Sequence, residues 1–415
     1  MKEWNIYKIA DIVDEISMGP FGSNIKVENF ISEGIPVLNG SNLQGYKLNE
    51  ESFNYVSEEK ANSLGKANAY RGDVVITHRG TLGQIIYIPS DSKFERYVIS
   101  QSQFRLKLKR DIVRPDFLVY YFHTAIGQHK ILMNASQVGV PALARPTSTF
   151  REVTLPIPPM DIQNKIMDIL LSIDGKLAVN KQINDNLEQQ AQALYKSWFV
   201  DFEPFEDGEF VESEMGEIPV GWTVVKLSDL TEIPKKTINP QKFPETIFKH
   251  YSLPACDNGL IPENQTGKDI MSNKIILQNN TTLFSKLNPR IKRIWFTCEV
   301  QPNSICSTEF IPYRATNENE SGYIFSIINS EAFYASVMGC VNGATGSHQR
   351  FHAEDTDDFL CAYNKEAVNE FSQHIDVILK QMHDLRQENV KLASMRDTLL
   401  PKLMSGELKI NEIDC

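Results

Sequence analysis

Side chains able to do chemistry are present in this chain, but their spacing assembles no reaction centre. His348 and His352 stand four apart, as two zinc ligands on one helix face would. They follow a Gly-rich turn and lack the His-Glu pattern of a zinc hydrolase, so no metal is expected. Asn239-Pro240 and Asn288-Pro289 begin like an amino-methyltransferase motif, yet lack its second Pro and its aromatic. Glu407-Leu408-Lys409 mimics part of a nuclease motif without acidic partners nearby. No Walker A sequence and no strand-following Gly-rich fingerprint is present to cradle a nucleotide. Cys256, Cys298, Cys306, Cys340, Cys361 and Cys415 show no metal or redox spacing and read as reduced thiols. What remains is recognition without a catalytic engine.

The bulk properties agree. A chain of 415 residues has room for two or three domains, and 41% hydrophobic with 23% charged content fits a soluble globular protein. No apolar run approaches the roughly 20 residues of a membrane span, and the N-terminus lacks a signal-peptide core, so a cytoplasmic protein with no membrane partner is expected. A net charge of −11 opposes indiscriminate nucleic-acid binding. Residues 201–217 concentrate Asp201, Glu203, Glu206, Asp207, Glu209, Glu212, Glu214 and Glu217. Local basic groups oppose them: Arg105, Lys107, Lys109, Arg110 and Arg114; Lys235 and Lys236; Lys286, Arg290, Lys292 and Arg293. Each group taken singly reads first as a solvated face. An acidic protein can still touch DNA over a limited surface and dock partners elsewhere.

The elements that must position such a surface occur twice. Ile99-Ser100-Gln101-Ser102-Gln103-Phe104 is echoed by Ile305-Cys306-Ser307-Thr308-Glu309-Phe310, about 206 residues later. At the same offset Phe117-Leu118-Val119-Tyr120-Tyr121-Phe122 meets Tyr323-Ile324-Phe325-Ser326-Ile327-Ile328. Trp4 and Trp222 open the two halves. Short apolar runs such as Asp73-Val74-Val75-Ile76, punctuated by Gly and Asn turns, predict a mixed sheet. Residues 114–135 read as helix, and Leu155-Pro156-Ile157-Pro158-Pro159 as a stiff extended link.

Beyond that link the period changes. Ile166, Ile169 or Leu170, Ile173, Leu177, Asn180, Asn184, Leu187, Ala191, Leu194 and Trp198 step by three and four, a coiled-coil seam. Ile375, Ile378, Met382, Leu385, Asn389, Leu392, Arg396, Leu399 and Leu403 repeat it, with Pro401 suggesting a break. Each segment lacks another partner, and the intervening domain returns the chain, so an antiparallel pair is expected. Asn180, Asn184 and Asn389 on the seams would set its register, or else mark a locally wet stretch. About 40 residues span about 60 Å, bounding the separation of the flanking domains at roughly 17 base pairs of duplex.

The predicted fold class is α+β: two pseudo-repeated mixed α/β domains separated by an antiparallel coiled coil of two long helices, the domains that the resemblance given below would make target-recognition domains. The boundaries are 1–155 for the first domain, 160–200 for the first spacer helix and 201–220 for an acidic linker. The second domain covers 221–365, the second spacer helix 366–405 and the tail 406–415.

The chain resembles the specificity (S) subunits of type I restriction-modification enzymes over essentially its whole length. Carrying the resemblance are Leu155-Pro156-Ile157-Pro158-Pro159 with Gln163 and Ile166, and Asp174-Gly175-Lys176-Leu177 leading through Asn180-Lys181-Gln182-Ile183-Asn184. The most specific stretch ends in Ala191-Gln192-Ala193-Leu194-Tyr195-Lys196-Ser197-Trp198-Phe199. Met215-Gly216-Glu217-Ile218-Pro219 and Leu399-Leu400-Pro401-Lys402-Leu403-Met404-Ser405-Gly406 complete the set. The resemblance implies two domains, each reading half of a bipartite asymmetric site in double-stranded DNA, with paired helices setting the gap. It implies docking of two modification (methyltransferase) subunits and of restriction (motor-nuclease) subunits. S-adenosylmethionine, ATP and Mg2+ belong on those partners, and this chain carries no cofactor, metal or catalytic residue. Asp358-Phe359-Leu360-Cys361-Ala362-Tyr363-Asn364 lacks the Pro-rich form of the first exit, which suggests a looser second junction. The rival readings are a self-contained methyltransferase or restriction enzyme with an unrecognised active site, and a coiled-coil scaffold that binds no DNA.

On that resemblance, the expected DNA contacts in the first domain are Ser23, Asn24 and Lys26 after Gly19-Pro20-Phe21-Gly22. His78, Arg79 and Thr81 lie among glycines that permit close backbone approach. Ser100, Gln101 and Gln103 offer a hydroxyl and amides to bases or phosphate. Gly139-Val140-Pro141-Ala142-Leu143 is expected as a supporting turn. In the second domain the counterparts are Lys286, Asn288, Arg290, Ser307 and Thr308, then Thr345, Ser347, Gln349 and Arg350. Arg79 and Arg350 lead, because a guanidinium binds guanine or phosphate bidentately.

Overall fold

The computed structural model describes residues 4–133, 135–136, 140–341 and 349–408. The chain divides into two compact units, one of residues 1–176 with 392–415, the other of residues 177–391. Each unit holds one globular lobe and one end of each long helix.

In the first unit an antiparallel sheet runs in the order Val13–Met18, Gln103–Leu108, Val74–Thr77, Ile85–Tyr87. Strand alternation explains why Val74–Thr77 is buried on both faces. Val74 and Ile76 point into the core with Phe117, Leu118 and Phe122, whereas Val75 points into a second core with Leu38, Ile86 and Tyr97. A second sheet orders Asn54–Val56, Ile35–Val37, Arg96–Val98, Asn68–Tyr70, its central pair parallel. The helical stretch is two helices, Pro115–His123 and Ala125–Leu132. Thr124 divides them: its Oγ1 accepts from Gly127 N at 3.0 Å, capping the second helix. A side chain on Gly127 would meet the Tyr121 carbonyl at 2.2 Å, so the corner closes only on glycine.

The second unit repeats this plan. Thr231–Glu232, Phe310–Ala315, Thr281–Ser285 and Ile294–Thr297 form the first sheet. Thr237–Ile238, Lys274–Ile276, Ser304–Ser307, Ile247–Tyr251 and Glu263–Thr266 form the other. Helices Ser321–Asn329 and Glu331–Cys340 meet at Ser330, whose Oγ accepts from Phe333 N at 3.1 Å, 206 positions after Thr124.

Both lobe exits are strands, which corrects two expectations. Thr154–Ile157 is not a free link but pairs antiparallel with Asn5–Lys8. Leu360–Tyr363 pairs in the same way with Thr223–Lys226, so the second exit is tied despite lacking the prolines. The acidic stretch also folds: Phe210–Ser213 and Gly216–Pro219 make a hairpin.

The long helices are Met160–Phe199 and Lys365–Ser405. In the first unit Ile166, Met167 and Leu170 share a core with Leu400, Leu403 and Met404, and Arg396 Nη1 lies 2.9 Å from Asp174 Oδ1. In the second, Leu187 and Ala191 pack with Phe371, Ile375, Leu379 and Met382. Rising numbers on one helix meet falling numbers on the other in both units, so the pairing is antiparallel. Asn180 is fully buried, and its Nδ2 donates to Asn389 Oδ1 at 2.9 Å and Glu388 Oε2 at 2.7 Å. Asn184 is also buried, with Oδ1 unpaired among the described residues. The helix does not break at Pro401. One backbone bond is lost there, but Leu400, Leu403 and Met404 are buried in the lobe core and hold the last turn. Gly406, at φ +74°, ends it.

Candidate nucleic-acid interface

In the first unit three loops close on one another. Gly19 N donates to Gln103 O at 2.8 Å, and a side chain on Gly19 would strike Ser100 O at 1.9 Å. Gly22 approaches Gln101 so closely that an added Cβ would lie 2.2 Å from its Oε1. His78 Nε2 meets Gln101 O at 3.1 Å, and the His78 backbone N–H donates to Ser102 O at 2.8 Å. The 140–143 turn buttresses this group, since Leu143 N donates to His78 O and Gly80 N to Pro141 O. Partial burial pushes the His78 imidazole below its ordinary pKa, which keeps it neutral and able to accept or donate within the loop. Gly80 and Gly83 adopt φ of +89° and +86°, turning the chain tightly around Arg79 and Thr81.

The arrangement leaves Arg79 and Thr81 exposed, with no side-chain hydrogen bond or ion pair from Arg79 to the described residues. Gln101, Asn24 and Lys26 are exposed beside them, and Ser100 Oγ and Ser102 Oγ lie 3.0 Å apart. The Ser23 side chain lies outside the described atoms. Phe21 was not among the expected contacts, yet 84% of it is exposed between the two anchored glycines. An aromatic in a Gly-Pro-Phe-Gly turn, with no core to join, was the signal available. Gln103 is a correction. It is fully buried, and its Oε1 accepts from Ser100 N at 2.9 Å, shaping the turn from beneath.

In the second unit the 286–293 loop occupies the place of the 78–84 loop. An isolated bridge joins Leu287 to Arg350, as one joins Arg79 to Ala142 in the first. The cation thus sits on the opposite strand of the equivalent bridge. Arg350 is held by Glu309, with Nε to Oε2 at 3.1 Å and Nη2 to Oε1 at 3.3 Å. Asn288 takes a left-handed φ of +48° and donates its N–H to Gln349 O at 2.9 Å. Arg290 is exposed, and Ser307 Oγ accepts from Glu309 N at 3.2 Å. Lys286 and Thr308 line a cleft of about 350 Å3 with Lys235 and His352. Thr345, Ser347 and His348 lie outside the described residues.

Several basic residues prove to be internal ties. Arg105 is buried, bonding Asp73 at 3.2 Å, Glu15 at 3.0 Å and Lys66 O at 3.0 Å. Arg114 binds Asp116 and Asn164, and Arg293 binds Asp257. Their charges are spent within the fold and add nothing to an external surface.

Residues 1–189 match the family model described as the Type I restriction modification DNA specificity domain. The chain is 24% identical to the Type I restriction enzyme MjaIX specificity subunit of Methanocaldococcus jannaschii, over 99% of this chain and 95% of that one. It is 31% identical to the Type I restriction enzyme HindI specificity subunit of Haemophilus influenzae, over 49% of this chain and 42% of that one. Among solved structures, the Type-I restriction-modification system S subunit from M. genitalium aligns with a TM-score of 0.54 at 14% identity. That alignment covers 97% of this chain and 96% of the other, and it establishes a shared fold. No helix among the described residues is long and apolar enough to cross a membrane.

Proposed function

We propose, from the premise that this chain is a member of the type I specificity-subunit family, that it reads a bipartite asymmetric DNA sequence, one half with each lobe. The family's role is DNA sequence specificity. One observation carries the finer reading: the same two-sheet lobe occurs twice, and each presents a bridged loop pair bearing an arginine, Arg79 in one and Arg350 in the other. Different side chains at equivalent places, Gln103 against Glu309, are what two readers of unlike half-sites require.

The paired helices act as the ruler between half-sites. Docked modification subunits supply S-adenosylmethionine and flip the target adenine, because a stacked base is out of reach of a methyl donor. Restriction subunits bring ATP, Mg2+ and cleavage. This chain contributes address and assembly without chemistry of its own, in the cytoplasm where the host DNA lies. The test is methylome sequencing of a host expressing the chain with its modification partner. Methyl-adenine in a split motif is expected. Methylation of one uninterrupted motif, or methyl transfer by the purified chain alone, would overturn the reading.

A further inference from the structure

A second surface lies in the unit of residues 177–391. The end of the first spacer helix, the 210–219 hairpin and the helices Ser321–Asn329 and Glu331–Cys340 together line a cleft of about 730 Å3. Tyr195, Phe199, Phe202, Ile218 and Phe359 give it apolar walls, and the exposed Met215 joins them. Asn329 also lines the cleft. It is only 2% exposed, yet neither Nδ2 nor Oδ1 has a partner among the described residues. Its backbone carbonyl is already satisfied by Lys292 Nζ at 2.6 Å, so the side-chain amide alone is left open. A buried carboxamide without partners is costly unless something arrives to bond it.

The charge on the hairpin beside this cleft is mostly negative, although Lys196 lines the cleft and Lys226 lies near Glu214. Glu206, Asp207, Glu209, Glu212, Glu214 and Glu217 are all exposed, whereas Asp201 is taken by Lys196. Phosphates would be repelled here, and a basic protein surface attracted. Phe210, Val211 and Val220 are exposed on the same hairpin.

We infer that the cleft is a docking socket for a protein segment that inserts one aromatic or long aliphatic side chain flanked by Lys or Arg. The apolar walls take the anchor, the Asn329 amide takes a backbone N–H or C=O of the incoming segment, and the hairpin carboxylates take the flanking cations. The inference rests on the proposed function, in which the segment belongs to a modification subunit.

The experiment measures the affinity of the full-length chain for its purified modification subunit, at two salt concentrations. Ala332→Trp and Ala193→Trp, at exposed helix positions lining the cleft, fill it without touching the core. Each is expected to weaken assembly about tenfold or more, the scale of a lost interface anchor. Glu212→Lys with Glu214→Lys, on the exposed hairpin, keeps the test open should a Trp variant fold poorly, and is expected to weaken assembly and flatten its salt dependence. Wild-type affinity in the charge-reversed and filled variants would overturn the socket. Loss of DNA binding with assembly intact would also overturn it. Failure of the unaltered chain to bind modification subunits would instead bring down the functional reading, and the socket with it.

Discussion

Arg79 and Arg350 occupy opposite sides of equivalent loop bridges, but one guanidinium is open and the other is clasped. The difference goes with two changes in the repeat: the arginine has moved to the other strand of the bridge, and Gln103 has become Glu309. Gln103 is buried and spends its amide oxygen on the Ser100 turn, whereas Glu309 is partly exposed and spends its carboxylate on Arg350. The Arg79 guanidinium has no ion pair among the described residues and is free for a phosphate or a guanine; Glu309 neutralises Arg350 until a better anion competes. The duplicated scaffold repeats its sheets and bridged loops while the side chains on those loops differ between the lobes.

The junctions between lobe and helices differ as well, and there the largest effects are expected. In the second unit Phe371 is fully buried against Tyr195, Trp198, Phe199 and Tyr323. Phe371→Ala should cost about 3–5 kcal/mol in denaturant unfolding of that unit. In the first unit Arg396 pairs with Asp174 and lies over the Tyr46 ring at 5.2 Å, while Tyr120 bonds the same Asp174. Arg396→Ala should cost about 2–4 kcal/mol there, less than a truncated aromatic, because the pair is partly solvated. A larger loss from Arg396→Ala would reverse this contrast.

At the interfaces, Arg79→Ala should weaken binding to cognate DNA by about 1–3 kcal/mol, read by titration of the assembled complex. Arg350→Ala should cost less, since that side chain must first leave Glu309. Glu309→Gln sharpens the comparison: it should raise affinity for any duplex and steepen the salt dependence. Equal effects of the two arginine substitutions would erase the distinction between open and clasped cations. The smallest effect concerns Asp376 in the second spacer helix. Burial raises its carboxyl from 3.8 to about 6. The folded state therefore holds this proton more tightly than the unfolded chain does, and stability falls as pH rises from about 4 to about 6. Asp376→Asn should remove that slope and melt higher than the parent above pH 6, by thermal scans across the window.

The repeat, the helix pair and its antiparallel sense were legible because periodicity survives in sequence. Ile99–Phe104 and Ile305–Phe310 lead into the equivalent strands Gln103–Leu108 and Phe310–Ala315. Strand pairing at the exits was not legible, because partners such as Asn5 and Ile157 are distant in the chain and Pro156 argued against a ladder. Gln103 was misplaced for a related reason. The first four residues of its strand are all buried, so alternation could not tell a recognition face from a core face. Arg105 shows the same limit, since nothing local announces that Asp73 and Glu15 will meet it. Proline at 401 was overruled by tertiary packing.

The most direct measurement is a pair of methylomes, one from Arg79→Ala and one from Arg350→Ala, each expressed with the modification partner. Relaxed sequence in opposite halves of the split motif, one half per variant, is the predicted result. Degeneracy falling in the same half for both, or a uniform decline across the whole motif, would contradict the assignment of one half-site to each lobe.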